Sequence, residues 1–319
     1  MSTLPLFEPP EPPGRARLAA ALGRLAAAGV WVGTSSWKYE GWIGQVYTAG
    51  RYLSRGRFSR RLFLDTCLAE YAETFPAVCG DFSFYQFPSE PYWRRLFSSA
   101  PPALRFALKV PEEITVKVFP PHPRYGPRGG EVNPGFLDAA RLNSMFLEPL
   151  APWRERIAAL IFEFGTFPRH VFPSGDEFLE PLDRFLGALP EGFRYSVEIR
   201  NSEYLGPSYF DCLRRHRAAH LFNAWTRMPE IGAQIADPGA FTADFTVTRA
   251  LLRHGRSYEE AVRMFEPYRE IQDENPAVRR AIGRIVGRAL ERREPAFVFV
   301  NNRLEGNAPQ TIASIVEDA

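Results

Sequence analysis

Eight times along this chain a short run of apolar, β-favouring residues gives way to a segment with helical period. The strand-like runs are WVGT (31–34), VCGDFSFY (78–85), RFALKV (105–110), AALIFEFG (158–165), RYSVEIR (194–200), HLFNAW (220–225), FTADFTVT (241–248) and AFVFVNN (296–302). A helix over 15–28 precedes the first run, with Leu18, Leu22 and Leu25 on one face. Helical segments at 59–75, 89–99, 134–150, 175–189, 207–218, 228–236 and 309–317 separate or follow the others. The stretch 257–293 reads as two helices broken at Asn275-Pro276, and Ser59, Ser89 and Ser257 are expected N-caps. Eight such units without a break in composition predict an α/β fold, a single (β/α)₈ TIM barrel over residues 15–319. A doubly wound open sheet shares the alternation, but WVGTSSW after the first run is no glycine-rich phosphate turn. The 23 residues from 111 to 133 make a long loop after the third strand, a length associated with function or disorder.

Side chains alternate along a strand, and in a barrel the face toward the helices must be apolar. That rule sends Phe106, Leu108, Leu160, Phe162, Tyr195 and Val197 outward, and Lys109, Glu163, Glu198 and Arg200 inward. Continued through the second and seventh runs, it places Phe82, Phe84, Phe245 and Val247 outside, and Asp81, Ser83, Tyr85, Asp244, Thr246 and Thr248 inside. Asp81, Tyr85, Lys109, Glu163, Glu198 and Arg200 then gather at the C-terminal strand ends, where barrel enzymes keep their chemistry. They form either an internal salt-bridge network or a site. Glu163 and Glu198 on neighbouring strands suit an acid/base or nucleophile pair, with Lys109 as electrophile, phosphate ligand or proton donor. Asn301 and Asn302 point to opposite faces, so only one can line the lumen.

Other signals set limits. The formal net charge of +2 gives no field that calls for nucleic acid or an anionic membrane. Of 39 basic residues only Lys38, Lys109 and Lys117 are lysines, leaving 36 arginines. Cys67, Cys79 and Cys212 lie in core-like segments and read as free buried thiols. Residues 1–14, proline-rich and acidic, read as a disordered tail rather than a signal peptide, and no apolar run reaches membrane-spanning length. A cytoplasmic location is the expectation. His216 and His220 are four apart but belong to a helix and a strand, so they should diverge rather than bind zinc. No cofactor fingerprint is present, and a carboxylate-held Mg²⁺ or Mn²⁺ on Asp81, Glu163 and Glu198 stays open. WKYEGWIG (37–44) offers Trp37 and Trp42 either to the core or as a wall over a ligand.

Several of these stretches together resemble the YecE-like family, the domain of unknown function numbered 72. GTSSWKYEGWIGQVY (33–47) is similar to that family's opening, and DFSFYQFPSE (81–90) to its N-S-T-F-Y segment. RFALKVPEEIT (105–115), SVEIRNSEY (196–204), TADF (242–245) and FVNNRLEGNAPQ (299–310) resemble later segments in the right order. The resemblance implies a TIM barrel and supplies positions but no reaction: Trp37, Tyr85, Lys109, Glu198, Arg200, Asn301 and Asn302. This chain departs from the pattern at Cys79, Asp81, Val116, Glu163, Gly165 and Thr166, and the glutamate replaces a neutral glutamine. The combined expectation is an enzyme acting on a small polar molecule, anionic or sugar-like, as a hydrolase or isomerase. Glu198 would be the principal acid/base, Lys109 and Arg200 would stabilise negative charge, Asn301 and Asn302 would bind substrate, and Trp37 or Trp42 would stack on it. A non-catalytic ligand-binding or regulatory barrel is the alternative, and a metal-dependent nuclease-like barrel is disfavoured by the modest charge.

Overall fold

The computed structural model describes residues 11–317, so most of the tail read over 1–14 lies outside the described residues. Eight parallel strands close a barrel in sequential order: β1 (Val30–Thr34), β2 (Ala77–Gly80), β3 (Arg105–Lys109), β4 (Ile157–Glu163), β5 (Tyr195–Glu198), β6 (Ala219–Ala224), β7 (Thr246–Ala250) and β8 (Ala296–Val300). β8 pairs back onto β1, with Val30 opposite Ala296 and Thr34 opposite Val300. Every run read as a strand is one, and the α/β barrel follows.

The bounds of two runs shift by more than one or two residues at an end. β2 stops at Gly80, because the Phe84 amide turns back to the Asp81 carbonyl at 3.0 Å and the Ser83 hydroxyl donates to the Lys109 carbonyl at 2.6 Å. Tyr85 therefore sits on a loop, 58% exposed, and not in the lumen. β7 begins at Thr246 and runs on to Ala250, with the opposite facing from that expected. Its Val247 is opposite Phe297 and Leu221, and its Arg249 is opposite Phe299 and Asn223. Phe245 and Val247 join the barrel interior, while Thr246 and Thr248 turn toward the helices.

The interior is packed solid. Trp31 stacks on Phe297 with ring centroids 5.1 Å apart, and Ala77, Ala107, Ala159 and Ala219 leave room for such large neighbours. The helices outside carry the expected periodicity. In Gly175–Gly187 the buried Phe178, Leu182, Phe185 and Leu186 form one stripe, and Ser174 caps its start by accepting from the Glu177 amide. Ser59 and Ser257 cap as expected, Ser89 makes no such bond, and Asn275 caps Pro276–Arg292 where the break was read. Segment 134–150 is not one helix: it divides into Ala139–Leu142, a π-turn at Asn143–Leu147, and Glu148–Leu150.

Loop 111–133 is ordered by its own polar contacts. The buried Glu112 carboxylate accepts from Arg124 at 2.8 Å and Tyr125 at 2.7 Å, and Asn133 donates to the Glu113 and Val116 carbonyls. The three cysteines are free and buried. His216 meets Asp183 at 2.9 Å, whereas His220 packs among Tyr209, Phe210 and Phe222, and burial pushes its pKa down to about 4. The two rings thus diverge. Among the described residues no helix is long and apolar enough to cross a membrane.

Candidate functional site

Lys109, Glu163 and Glu198 are the last residues of β3, β4 and β5, and Arg249 is the penultimate residue of β7. Parity turns all four into the lumen at its C-terminal end, where Glu163 lies in register with Glu198. Arg200 follows β5 and Asp81 follows β2. The six form one network of three cations and three carboxylates. Lys109 lies 3.1 Å from Glu163 and 3.3 Å from Asp81, and Arg200 lies 3.0 Å from Glu163 and 3.2 Å from Glu198. Arg249 Nη1 donates to Glu163 at 2.7 Å and also to Glu198, and its Nη2 lies 3.8 Å from Asp81.

Taking such charges out of water is tolerable only when each has several partners in good geometry. The Lys109 ammonium gains a further partner in the Phe84 ring, 3.7 Å below it, and the Arg200 guanidinium lies 3.8 Å over Trp225. Burial works against the charge of Glu163, but Arg200, Lys109 and Arg249 outweigh it and hold the carboxyl well below the usual range. For Lys109 burial again opposes the charge, and Glu163 and Asp81 offset it, so the ammonium loses its proton less readily than a free lysine. Both groups keep one protonation state through neutral pH. Burial pushes the Cys79 thiol up to about 12, so it stays neutral.

Glu198 has no exposed surface, and its two oxygens are engaged by Arg200 and Arg249. In this arrangement it orients the two arginines and has no open path to a ligand. Asp81 differs: its side chain is 48% exposed. It is also the member of the network that lines a cavity of ≈ 580 Å³ at the barrel mouth, with Ser35, Trp37, Tyr39, Tyr85, Asn301 and Arg303. A larger groove of ≈ 1100 Å³ lies outside the barrel, against Gly232, Gly283 and Gly287. No residue of the charged network reaches that groove, so volume alone does not locate the site.

The sequence-derived candidates thus divide. Asp81, Tyr85, Trp37 and Asn301 line the mouth cavity, whereas Lys109, Glu163, Glu198 and Arg200 do not line it and are linked to it through Asp81. Trp42 is fully buried and donates through Nε1 to Asn302 Oδ1 at 3.2 Å, so it is core and not a stacking wall. Asn302 Oδ1 also accepts from the Ala308 amide at 2.8 Å, which pins the turn after β8. Asn301 is the asparagine at the cavity. Arg249, the hub of the network, was not among the candidates; its signal is an arginine inside TVTRALL, where a continuous apolar strand tolerates a charge only with partners. Among the described residues no group of three His, Cys, Asp or Glu side chains is placed to hold a metal ion. The carboxylates of Asp81, Glu163 and Glu198 converge on Lys109 and Arg249 instead.

Two solved structures share this architecture. A DUF72 family protein from Enterococcus faecalis has 15% identity and a TM-score of 0.60, covering 90% of this chain and 95% of its own. A DUF72 family protein from Thermotoga maritima has 19% identity and a TM-score of 0.59, covering 91% and 98%. At that identity the likeness speaks for the fold. No curated protein matches the chain. The model of the family described as "Protein of unknown function DUF72" matches residues 31–319, which span the whole barrel from β1 onward, and the chain belongs to that family.

Proposed function

We propose that the protein is an enzyme that binds a small polar molecule at the barrel mouth and acts on it by acid/base chemistry. Asp81 is the carboxylate that meets the ligand. The observation that carries this reading is that Asp81 belongs to the charged network and also lines the cavity. Lys109 holds that carboxylate from below, and the Lys109–Glu163–Arg249–Glu198–Arg200 network supplies a preorganised field around it. Tyr39 lines the same cavity. Burial raises its hydroxyl pKa, against the pull of Arg303 and with the help of Asp81, so it remains a phenol able to donate a hydrogen bond. Asp81 as acceptor and Tyr39 as donor form the working pair; Trp37 and Asn301 position the ligand. Glu198 and Glu163 act through the arginines, as positioning residues.

The test begins with a thermal-shift panel of sugars, sugar acids and small carboxylates on the full chain, followed by product analysis for each stabilising compound. For a compound that is turned over, Asp81→Asn should lower kcat by on the order of 10²–10⁴-fold with little change in KM. A variant that keeps the wild-type rate would sink the assignment. A non-catalytic binding barrel is favoured by one observation, the complete mutual pairing of the buried charges. That reading predicts stabilising compounds that yield no product by NMR, with Asp81→Asn weakening affinity alone.

A further inference from the structure

The charges around the mouth cavity do not cancel. Of its two carboxylates, Asp81 is held by Lys109, and Asp65 lies on an exposed helix face 3.8 Å from Arg61. Its three cations, Lys38, Arg95 and Arg303, form no ion pair among the described residues. Each is set instead over an aromatic ring: Lys38 5.5 Å from the Trp37 centroid, Arg95 6.0 Å from Tyr92, and Arg303 4.5 Å from Tyr258. An aromatic face orients a cation without neutralising it, so the positive charge stays available to a ligand.

A second observation is independent of charge. Ser35, at the end of β1, lines this cavity and is 4% exposed, yet its hydroxyl has no hydrogen-bond partner. A buried hydroxyl left unpaired is destabilising, a cost that a ligand oxygen would relieve. Beside it Asn301 spends its Oδ1 on the Arg303 amide at 3.0 Å, while its Nδ2 donates to no described residue. Lys38, Ser35, Asn301 and Arg303 all line this one cavity, on the segments that follow β1 and β8, and the cavity is large enough for a small metabolite.

We infer that Lys38, Arg303, Ser35 and Asn301 form a subsite for a tetrahedral dianion, the phosphate group of a small phosphomonoester. Two cations that form no ion pair among the described residues match a dianion better than a single carboxylate. The donors come from two segments, Ser35 and Lys38 after β1 and Asn301 and Arg303 after β8, so they can reach different oxygens of one group. The inference rests on the mouth reading above and assigns the class of ligand. The phosphate binds on the β1–β8 side, and the rest of the molecule extends past Trp37 and Tyr39 toward Asp81.

The test titrates the full chain at low ionic strength with inorganic phosphate, glucose 6-phosphate and glucose, followed by calorimetry and thermal shift. Saturable binding of inorganic phosphate is expected, weakened on the order of tenfold to a hundredfold in a Lys38→Ala/Arg303→Ala variant and less in Ser35→Ala. Lys38 is exposed and Arg303 half-buried, and circular dichroism checks that the variant is folded. Absence of saturable phosphate binding, or equal binding by the double variant, overturns the subsite. Tighter binding of glucose 6-phosphate than of inorganic phosphate supports an ester as ligand; equal binding overturns the ester and leaves a free-phosphate site. Asp81→Asn separates this inference from the functional reading. If that variant loses turnover while phosphate binding ignores Lys38 and Arg303, the mouth reading stands and the subsite falls. If phosphate binding depends on Lys38 and Arg303 but Asp81→Asn has no effect on turnover, the subsite stands and the Asp81 assignment falls.

Discussion

Replacing Arg249 with methionine is expected to cost the barrel about 3–5 kcal/mol, the usual penalty for removing one partner from a buried ion network. The melting temperature at neutral pH should fall by on the order of 10 °C. The loss comes from what remains: Glu163 and Glu198 in register on neighbouring strands, both nearly or wholly buried, without the guanidinium that now bonds to both. The sign of the pH dependence separates this cause from a packing defect. In the wild type the Glu163 pKa is depressed, so its contribution to stability is full above the unfolded glutamate value of about 4.3 and is lost as pH falls below it. In Arg249→Met two facing carboxylates share a dry site, and one of their pKa values should rise above the unfolded value. The variant's deficit should then shrink as pH falls from 8 toward 5, as that carboxyl takes a proton. Adding Glu163→Gln should recover part of the loss at pH 7, since the two sites share a partner and their effects are not additive. Melting curves for the four proteins across that range decide it. A deficit independent of pH, with no recovery in the double variant, would show that Arg249 acts by volume alone.

Lys109, Glu163, Glu198 and Arg200 were legible as a converging set because Phe106, Leu108, Phe162 and Val197 leave no doubt about which face meets the helices. Arg249 was not, because FTADFTVTRA alternates in a way that satisfies either facing, and threonine is at home on both sides of a strand. Its facing is decided by pairing with β6 and β8, which puts Val247 between Leu221 and Phe297. Tyr85 was misplaced for a related reason. D-F-S-F-Y keeps a strand-like alternation after the backbone has turned, and the bond that turns it, Ser83 to the Lys109 carbonyl, links residues far apart in the chain. Composition likewise could not separate Trp37 from Trp42. The depth of Trp42 depends on Asn302 as its hydrogen-bond partner, across most of the sequence. The asparagine pair itself was readable, since opposite faces follow from strand geometry whatever lies nearby.

The glycine that opens GTSSW has a steric reason that no motif shows. Gly33 lies in β1 opposite Ala77, and a Cβ built on it would lie 1.8 Å from the Ala77 carbonyl oxygen and 3.2 Å from the Tyr71 hydroxyl. At this seam the strands are joined through a side chain. The Tyr71 hydroxyl donates to the Ala77 carbonyl at 2.8 Å and accepts from the Thr34 amide at 3.0 Å. Burial pushes that hydroxyl's pKa above its ordinary value, so it remains a donor at any physiological pH. Gly33→Ala must therefore push β1 from β2 against backbone atoms that cannot rotate away, and the expected result is loss of soluble, folded protein. Tyr71→Phe is the graded companion. It keeps the ring and removes the bridge, leaving a buried N–H and a buried C=O each without its hydroxyl partner, at about 1–3 kcal/mol apiece. Its loss of stability should leave ligand binding at the mouth unchanged, because Tyr71 lies outside the cavity lining. Denaturant titration of Tyr71→Phe and the soluble yield of Gly33→Ala measure the two effects. A soluble Gly33→Ala with a wild-type midpoint would mean that the β1–β2 seam opens further than this packing allows. Gly33 would then need an explanation from the ligand site rather than from the barrel wall.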